Sequence, residues 1–534
     1  MQKYKMTFPL SIITAQLNPT VGALENNFKK IFNVCLEHGD KDLIVFSECV
    51  TSGYPADDLV LNHGFMNSIH AHINIFLDQT RDIEASIILP TPWLENNTLL
   101  NAALHIQKGE IKDKIFKHQL PNTGVFDEKR IFAQGELSQP IIVKDKKIGV
   151  MICEDSWHPK VASHLSNQDA ELLIVVNGSP YQTDIHSKRL KALESRHKET
   201  SLPILYINQV GGQDELVFDG RSLYMNEKGE IEKELPAFKE NVCEIFEYQN
   251  HKPLSKEEEI YSALVTGVKD YVEKNRFPGV LIGLSGGIDS ALTAAIAVDA
   301  IGADKVECIM MPSKYTSQDS LDDAKECADL LGVNYQIFLI KSGVSAFDET
   351  FTDHISPENS PLTYENIQSR LRGMTLMALS NANGKMVLST GNKSEMAVGY
   401  ATLYGDMCGG FNALKDVYKT QVYKLSEWRN EQGYVIPKRI ITKAPSAELK
   451  DNQTDQDSLP PYEDLDMILE CLIEENMAPE EIDFDTKIVW DMWKLLDRAE
   501  YKRRQAPPGT KITPKAFGRD RRYPITNGYF DSKN

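Results

Sequence analysis

Residues 279–295 read GVLIGLSGGIDSALTAA. An apolar run (Val280, Leu281, Ile282, Leu284) ends in Ser285-Gly286-Gly287-Ile288-Asp289-Ser290, and a small-residue helical pattern follows. A glycine-rich turn between strand and helix suits phosphate. Glycines let the backbone approach an anion without a Cβ clash. Free N–H groups at the helix start point at phosphate oxygens, and Ser285 and Ser290 add hydroxyl donors. The stretch is not a Walker loop, because no Lys follows the glycines, nor a GxGxxG fingerprint, whose spacing differs. Asp289 would repel phosphate unless a cation lies between, so the motif implies Mg²⁺. A ligand-free strand–helix turn explains the glycines but not two serines and an aspartate beside them.

A second set of reactive residues lies far upstream. FSECVTSGYPADD places Glu48 at a strand end, FKHQLPNTGVFDEKRIF carries Lys117 before a Pro-Asn turn, and KKIGVMICEDSW ends an apolar strand at Cys153. A thiol nucleophile needs a base to take its proton and a nearby cation to lower its pKa. A Glu and a Lys supply these, and the Lys can also stabilise the oxyanion of a tetrahedral intermediate. Taken singly, a Cys in an apolar strand is usually structural and a Lys before a turn is usually solvated.

Both sets must be held by α/β layers. In the first half, strand-length apolar runs (SIITAQLN, DLIVFSE, ASIILPTP, IGVMICED, LLIVVNGSP, ILYINQV) alternate with amphipathic segments such as ALENNFKKIFNVCLEHG and HSKRLKALESRHKETS, which read as helices. A polar, proline-containing stretch around 236–258 marks a domain boundary near 250. The helix EIYSALVTGVKDYVEKN follows, then the strand of the SGGIDS loop and the strands VECIMMPS, YQIFLI and KMVLSTGN. Strands alternating with helices predict a parallel, doubly wound sheet. STGNKSE also reads as an ordinary helix start capped by Ser394 or Thr390.

SGGIDS resembles the pyrophosphatase loop of the N-type ATP pyrophosphatases, which activate an oxygen by adenylation. Glu48, Lys117 and Cys153, in this order and with these flanks, resemble the nitrilase superfamily over roughly residues 9–245. That resemblance implies an αββα sandwich that hydrolyses a carbon–nitrogen bond through a thioester. In it Glu48 is the general base, Lys117 the transition-state stabiliser and Cys153 the nucleophile. It also implies a glutamine pocket with Glu128 on the substrate amino group, Ser179 near its carboxylate, and Lys188 beside them. Thr123 stands where the family often has the aromatic residue of LPNY.

A nitrilase-type amidase releases ammonia, and an adenylated acid is what ammonia can displace. The fusion resembles the glutamine-dependent NAD⁺ synthetases, with residues 1–248 as the glutamine amidohydrolase domain and 249–534 as the ATP pyrophosphatase domain. The resemblance implies that ATP adenylates the nicotinate carboxylate of nicotinic acid adenine dinucleotide and that ammonia displaces AMP. It assigns ATP to Gly283, Leu284, Ser285, Gly286, Gly287, Ile288, Asp289, Ser290, Thr390 and Lys419. It assigns the deamido dinucleotide to Asn366, Glu395, Asp406 and Lys515, and Mg²⁺ to Asp289 and Glu395. Arg370 and Arg372 are phosphate candidates, with an exposed helix arginine an equal reading for one of them. In the basic tail, Lys502, Lys511 and Lys515 are alternatives for closing over substrate phosphate. The family further implies an ammonia tunnel and a homodimer or larger homo-oligomer.

The 534 residues, 41% hydrophobic and 25% charged, suit two or three soluble domains. A formal charge of −19 argues against nonspecific binding of nucleic acid or anionic membranes. Eight cysteines form no CxxC pair or zinc spacing, which suits a reducing cytoplasm. The N-terminus has no signal-peptide layout, and no apolar run nears the ~20 residues of a membrane helix. Two other functions are open at this point: a synthetase of the same loop acting on another carboxylate, and a non-catalytic nucleotide-binding protein.

Overall fold

A computed structural model describes residues 8–248, 252–351, 354–355, 360–446, 448–450 and 453–529. Residue 249, where the second domain was expected to start, and residues 447, 451 and 452 of the motif APSAELKDNQTDQD lie outside them. The chain divides into two compact units, Met1–Leu254 and Ser255–Asn534.

The first unit contains two six-stranded sheets. One runs, in spatial order, Asn241–Glu244, Ile12–Gln16, Leu43–Phe46, Ser86–Glu95, Thr98–Gln107, Glu110–Phe116. The other runs Ile231–Glu234, Leu223–Met225, Ile204–Asn208, Leu172–Asn177, Lys146–Ile152, Ile141–Val143. The inner strands of each are parallel and the outer ones antiparallel. Alternate side chains of a strand face opposite ways, and the burial follows. Ile12, Leu43, Val45 and Ile88 join Val150, Ile152, Ile174 and Ile207 in one core, so the sheets stack face to face. Ile13, Ile44, Phe46 and Ile87 turn the other way, onto the helices Leu24–Glu37 and His63–Gln79. Met151, Leu173, Val175 and Tyr206 likewise meet the helices Pro159–Asn167 and Ile185–Thr200. These are the four layers of the αββα sandwich.

The polar stretch read as a boundary is partly structured. Asn241–Glu244 pairs antiparallel with Ile12–Gln16 and closes an edge of the first sheet. Half-buried edge strands need no apolar run, which is why composition hid it. Two hairpins also add strands. They turn at Asn96-Asn97 (φ 50° and 63°) and Lys108-Gly109 (φ 50° and 73°), the positive-φ pairs that two-residue hairpin turns require.

The second unit holds a five-stranded parallel sheet in the order Asn334–Ile337, Val306–Met310, Val280–Gly283, Met386–Ser389, Phe411–Asn412. The chain starts at the central strand, builds outward to one side, then crosses to the other. The order therefore reverses between Val280–Gly283 and Met386–Ser389, and open α/β sheets bind ligands outside the carboxyl ends of strands at such a point. The helix Ile288–Ile301 is buried nearly all round, and its alanines let it lie close to the sheet. Among the described residues no helix is long and apolar enough to cross a membrane.

Candidate active sites

In the first unit, three reactive side chains lie at strand ends: Glu48 two residues after Leu43–Phe46, Lys117 just after Glu110–Phe116 and Cys153 just after Lys146–Ile152. All three are buried. The Lys117 ammonium donates to Glu48 Oε1 at 2.7 Å and to Glu128 Oε1 at 2.9 Å. Glu48 also accepts from Asn101 Nδ2 and from the Gly178 N–H, each at 2.8 Å. A Cβ on Gly178 would sit 2.6 Å from the Tyr54 ring, so glycine permits this approach. Cys153 feels the charges of Glu48, Lys117 and Glu128.

The electrostatics differ from the expectation. Burial, then Glu48, push the Cys153 thiol well above its usual pKa, and Lys117 acts in the opposite direction without prevailing. Cys153 is held in its neutral thiol form. For Lys117, burial is the largest influence and lowers its pKa, but Glu128 and Glu48 outweigh it and hold the ammonium charged. Burial raises the Glu128 carboxyl, opposed by Lys117.

Glu128, expected on a substrate amino group, is bonded to Lys117 and to Tyr54 OH (2.7 Å). Thr123 is exposed, and its carbonyl accepts from Phe126 N–H at 3.1 Å. Glu128, Tyr54, Cys49 and Phe126 line a small cavity of about 30 Å³. Ser179 is buried, but the basic residue that meets it is not Lys188, whose side chain is exposed. It is Arg189, which donates to Ser179 Oγ (3.1 Å), to the carbonyls of Ser179 and Pro180, and to both oxygens of Asp219. Helical phase decides between the two, since adjacent residues point about 100° apart. Asn101 was also missed. It lies 53 residues from Glu48 on another strand, with no local signal.

In the second unit, a cavity of about 270 Å³ opens at the sheet's switch point. Every residue from Gly283 to Ser290 lines it, with Thr390, Glu395, Asp406, Lys419 and Arg372. Gly286 has φ +81°, and a Cβ there would lie 2.4 Å from the Ser320 carbonyl oxygen. Gly287 caps the following helix in an extended conformation. Ser290 Oγ accepts from the Ser285 N–H at 3.2 Å and donates to the Gly287 carbonyl at 2.9 Å, which folds the loop on itself.

Asp289 is bonded to Lys419 and accepts from Asn392 Nδ2 at 2.9 Å. Glu395 lies 3.5 Å from the Lys419 ammonium. Burial, then the adjacent Asp289, push the Glu395 carboxyl up to about 8, against Lys419. Burial also acts to lower Lys419, but Asp289 and Glu395 outweigh it and raise its pKa. The helix Lys393–Val398 is capped by neither Ser394 nor Thr390. Asn392 caps it, in a reciprocal box with Glu395. STGNKSE is thus a capped helix start whose capping carboxylate, Glu395, lines the cavity and whose cap, Asn392, holds Asp289.

Other expected contacts lie elsewhere. Asn366 does not line the cavity and accepts from Thr402 Oγ1 at 2.8 Å. Lys515 does not line it either. The carbonyl of Lys515 accepts from Lys393, a fully buried ammonium that also meets Asp416, Glu474 and Thr513. Arg370 is exposed, with Nε on the Leu403 carbonyl. Lys502 donates to the carbonyls of Gly399 and Ala401, and Lys511 pairs with Asp520. Among the described residues no group of three or more His, Cys, Asp or Glu side chains is arranged to hold a metal.

Residues 13–245 match the carbon-nitrogen hydrolase family model and residues 260–506 the NAD synthase model. A glutamine-dependent NAD(+) synthetase of Rhodobacter capsulatus is 43% identical over 98% of this chain and all of its own length. The Acinetobacter baylyi enzyme of the same name is 43% identical over 97% of this chain and 98% of its own. The solved Acinetobacter baumannii glutamine-dependent NAD+ synthetase, in complex with adenosine diphosphate, superposes with a TM-score of 0.77 at 41% identity, covering 97% of this chain and 99% of that one. The Cytophaga hutchinsonii structure, at 20% identity and a TM-score of 0.84 over 98% of both chains, shares the fold. The chain belongs to the glutamine-dependent NAD(+) synthetase family.

Proposed function

We propose that residues 1–248 release ammonia from glutamine and that residues 249–534 spend ATP to place it on the nicotinate carboxylate of nicotinic acid adenine dinucleotide. The observation that carries this reading is the pairing of two complete sites in one chain. Lys117 lies between two buried carboxylates beside Cys153, and the SGGIDS loop shares one cavity with Thr390, Glu395 and Lys419.

In the first reaction Glu48 takes the Sγ proton as the thiol attacks the carboxamide carbon. Lys117, fixed as an ammonium, stabilises the oxyanion. The C–N bond breaks, the departing nitrogen takes up a proton, and a thioester remains. Water, deprotonated by Glu48, then cleaves the thioester to glutamate. Removing the proton only at attack suits a buried thiol, because no thiolate stands uncompensated at rest.

In the second reaction the nicotinate carboxylate attacks the α-phosphorus of ATP and pyrophosphate leaves. Ammonia then attacks the acyl carbon and AMP leaves, giving NAD⁺. The backbone N–H groups and hydroxyls of the SGGIDS loop hold phosphate oxygens, and Lys419 meets their charge. Asp289 and Glu395 fit Mg²⁺, which binds through one or two carboxylates together with substrate phosphates. When bound, Mg²⁺ neutralises charge between two anionic reactants. Burial, and after it Asp289, raise the Glu395 carboxyl, and a divalent cation held by the two carboxylates would favour their charged forms. ATP is the co-substrate. We further assign the chain to the cytoplasm as a homodimer or larger homo-oligomer, acting on small molecules without nucleic acid or membrane.

The test compares nitrogen donors. With ATP, Mg²⁺ and the deamido dinucleotide, the protein makes NAD⁺ from glutamine or ammonium. Cys153→Ala abolishes synthesis from glutamine and spares synthesis from ammonium. Equal loss of both refutes a separable glutaminase. Pyrophosphate release driven only by some other carboxylic acid refutes the substrate.

A further inference from the structure

Asp155 lies two residues beyond Cys153 and is 1% exposed. Its Oδ1 accepts from the backbone N–H groups of His118 (3.1 Å) and Gln119 (2.7 Å), and its Oδ2 accepts from Ile152 N–H (3.1 Å). One carboxylate therefore ties the residues just after Lys117 to the residue just before Cys153. We infer that Asp155 is a positioning residue of the thiol site, setting the Lys117 loop in register with the Cys153 turn. This rests on the reading of Cys153 as nucleophile and Lys117 as oxyanion stabiliser.

The two loops come from different sheets. Lys117 follows a strand of one and Cys153 a strand of the other, and apolar side chains join the sheets. Apolar packing is non-directional, so it brings the loops together without fixing their relative placement to a fraction of an ångström. Hydrogen bonds are directional, and three converge on this one carboxyl, which burial pushes up to about 7; loss of about 1 Å of placement can cost a hundredfold in rate. A cap on the turn Cys153–Trp157 needs only the bond from Ile152 to Oδ2. The two bonds to Oδ1 have no part in that cap. They reach 36 and 37 residues back along the chain, to the lysine loop.

Asp155→Asn keeps the shape but replaces one acceptor by an NH₂ donor, which must face N–H donors on one side. The full-length variant is expected to lose at least about tenfold in kcat for glutamine hydrolysis, with KM for glutamine changed less than threefold and ammonium-driven synthesis unchanged. Leu193→Ala, a core truncation in the helix Ile185–Thr200, is the control. It is expected to lower the melting temperature without the kcat loss. Asp155→Asn turning over like the parent while Cys153→Ala is dead with glutamine overturns the positioning role alone. So does a kcat loss in Leu193→Ala that matches Asp155→Asn at equal melting temperature. Full glutamine-driven turnover by Cys153→Ala overturns the site itself, and the positioning role with it.

Discussion

Cys153 has φ 45°, a left-handed conformation that costs a non-glycine residue roughly 1–3 kcal/mol. Its carbonyl is held by Ser156 Oγ at 2.8 Å. The turn thus aims the sulfur off the strand end toward Glu48 and Lys117, and burial keeps it protonated. A thiol pKa raised well above its usual value leaves the neutral form dominant through pH 9. Alkylation of Cys153 by iodoacetamide, followed by peptide mass spectrometry, is expected to climb through pH 9 without levelling. A plateau below pH 7 would mark a resting thiolate and contradict this. Gly286 poses the opposite problem, a left-handed residue with no room for a side chain. Gly286→Ala costs roughly 1–2 kcal/mol from conformation alone, and its Cβ meets a backbone carbonyl that cannot swing aside. Pyrophosphate release is expected to fall more than about tenfold, with glutamine hydrolysis retained.

Among the elements, the short helix Lys393–Val398 carries an unusual share of the chemistry. Asn392 accepts from Glu395 N–H at 3.0 Å while its amide donates to Asp289 at 2.9 Å. One side chain therefore caps the helix bearing one carboxylate and orients the other. Lys393, next in sequence, faces inward to Asp416 and Glu474 and anchors the same helix to the rest of the unit. Asn392→Ala removes a cap worth about 1 kcal/mol and frees Asp289. The second unit's melting temperature is expected to drop by about 2–4 °C, and KM for ATP to rise severalfold. An unchanged KM for ATP would assign Asn392 to the cap alone.

At the scale of the whole molecule, the two active sites make different demands. In the proposed reactions the first relies on Glu48, Lys117 and Cys153, and the second brings two anions together. Chelation with EDTA is therefore expected to stop pyrophosphate release and NAD⁺ formation while glutamate release continues, read by separate assays of the two products. Loss of glutamate release in step with pyrophosphate would tie the first site to the metal or to events at the second. The sequence by itself determined the alternation of strands and helices, the SGGIDS turn and the strand-end positions of Glu48, Lys117 and Cys153. Those features are local, set by apolar periodicity and by glycines next to a helix start. Only the tertiary structure decided the rest. It put Arg189 rather than Lys188 on Ser179, Glu128 on Lys117, Asn392 at the cap, and it made Cys153 a thiol. Which face a helical residue presents, and whether burial or a neighbouring ammonium governs a pKa, depend on what packs against it from distant parts of the chain. Local pattern carries no record of those neighbours.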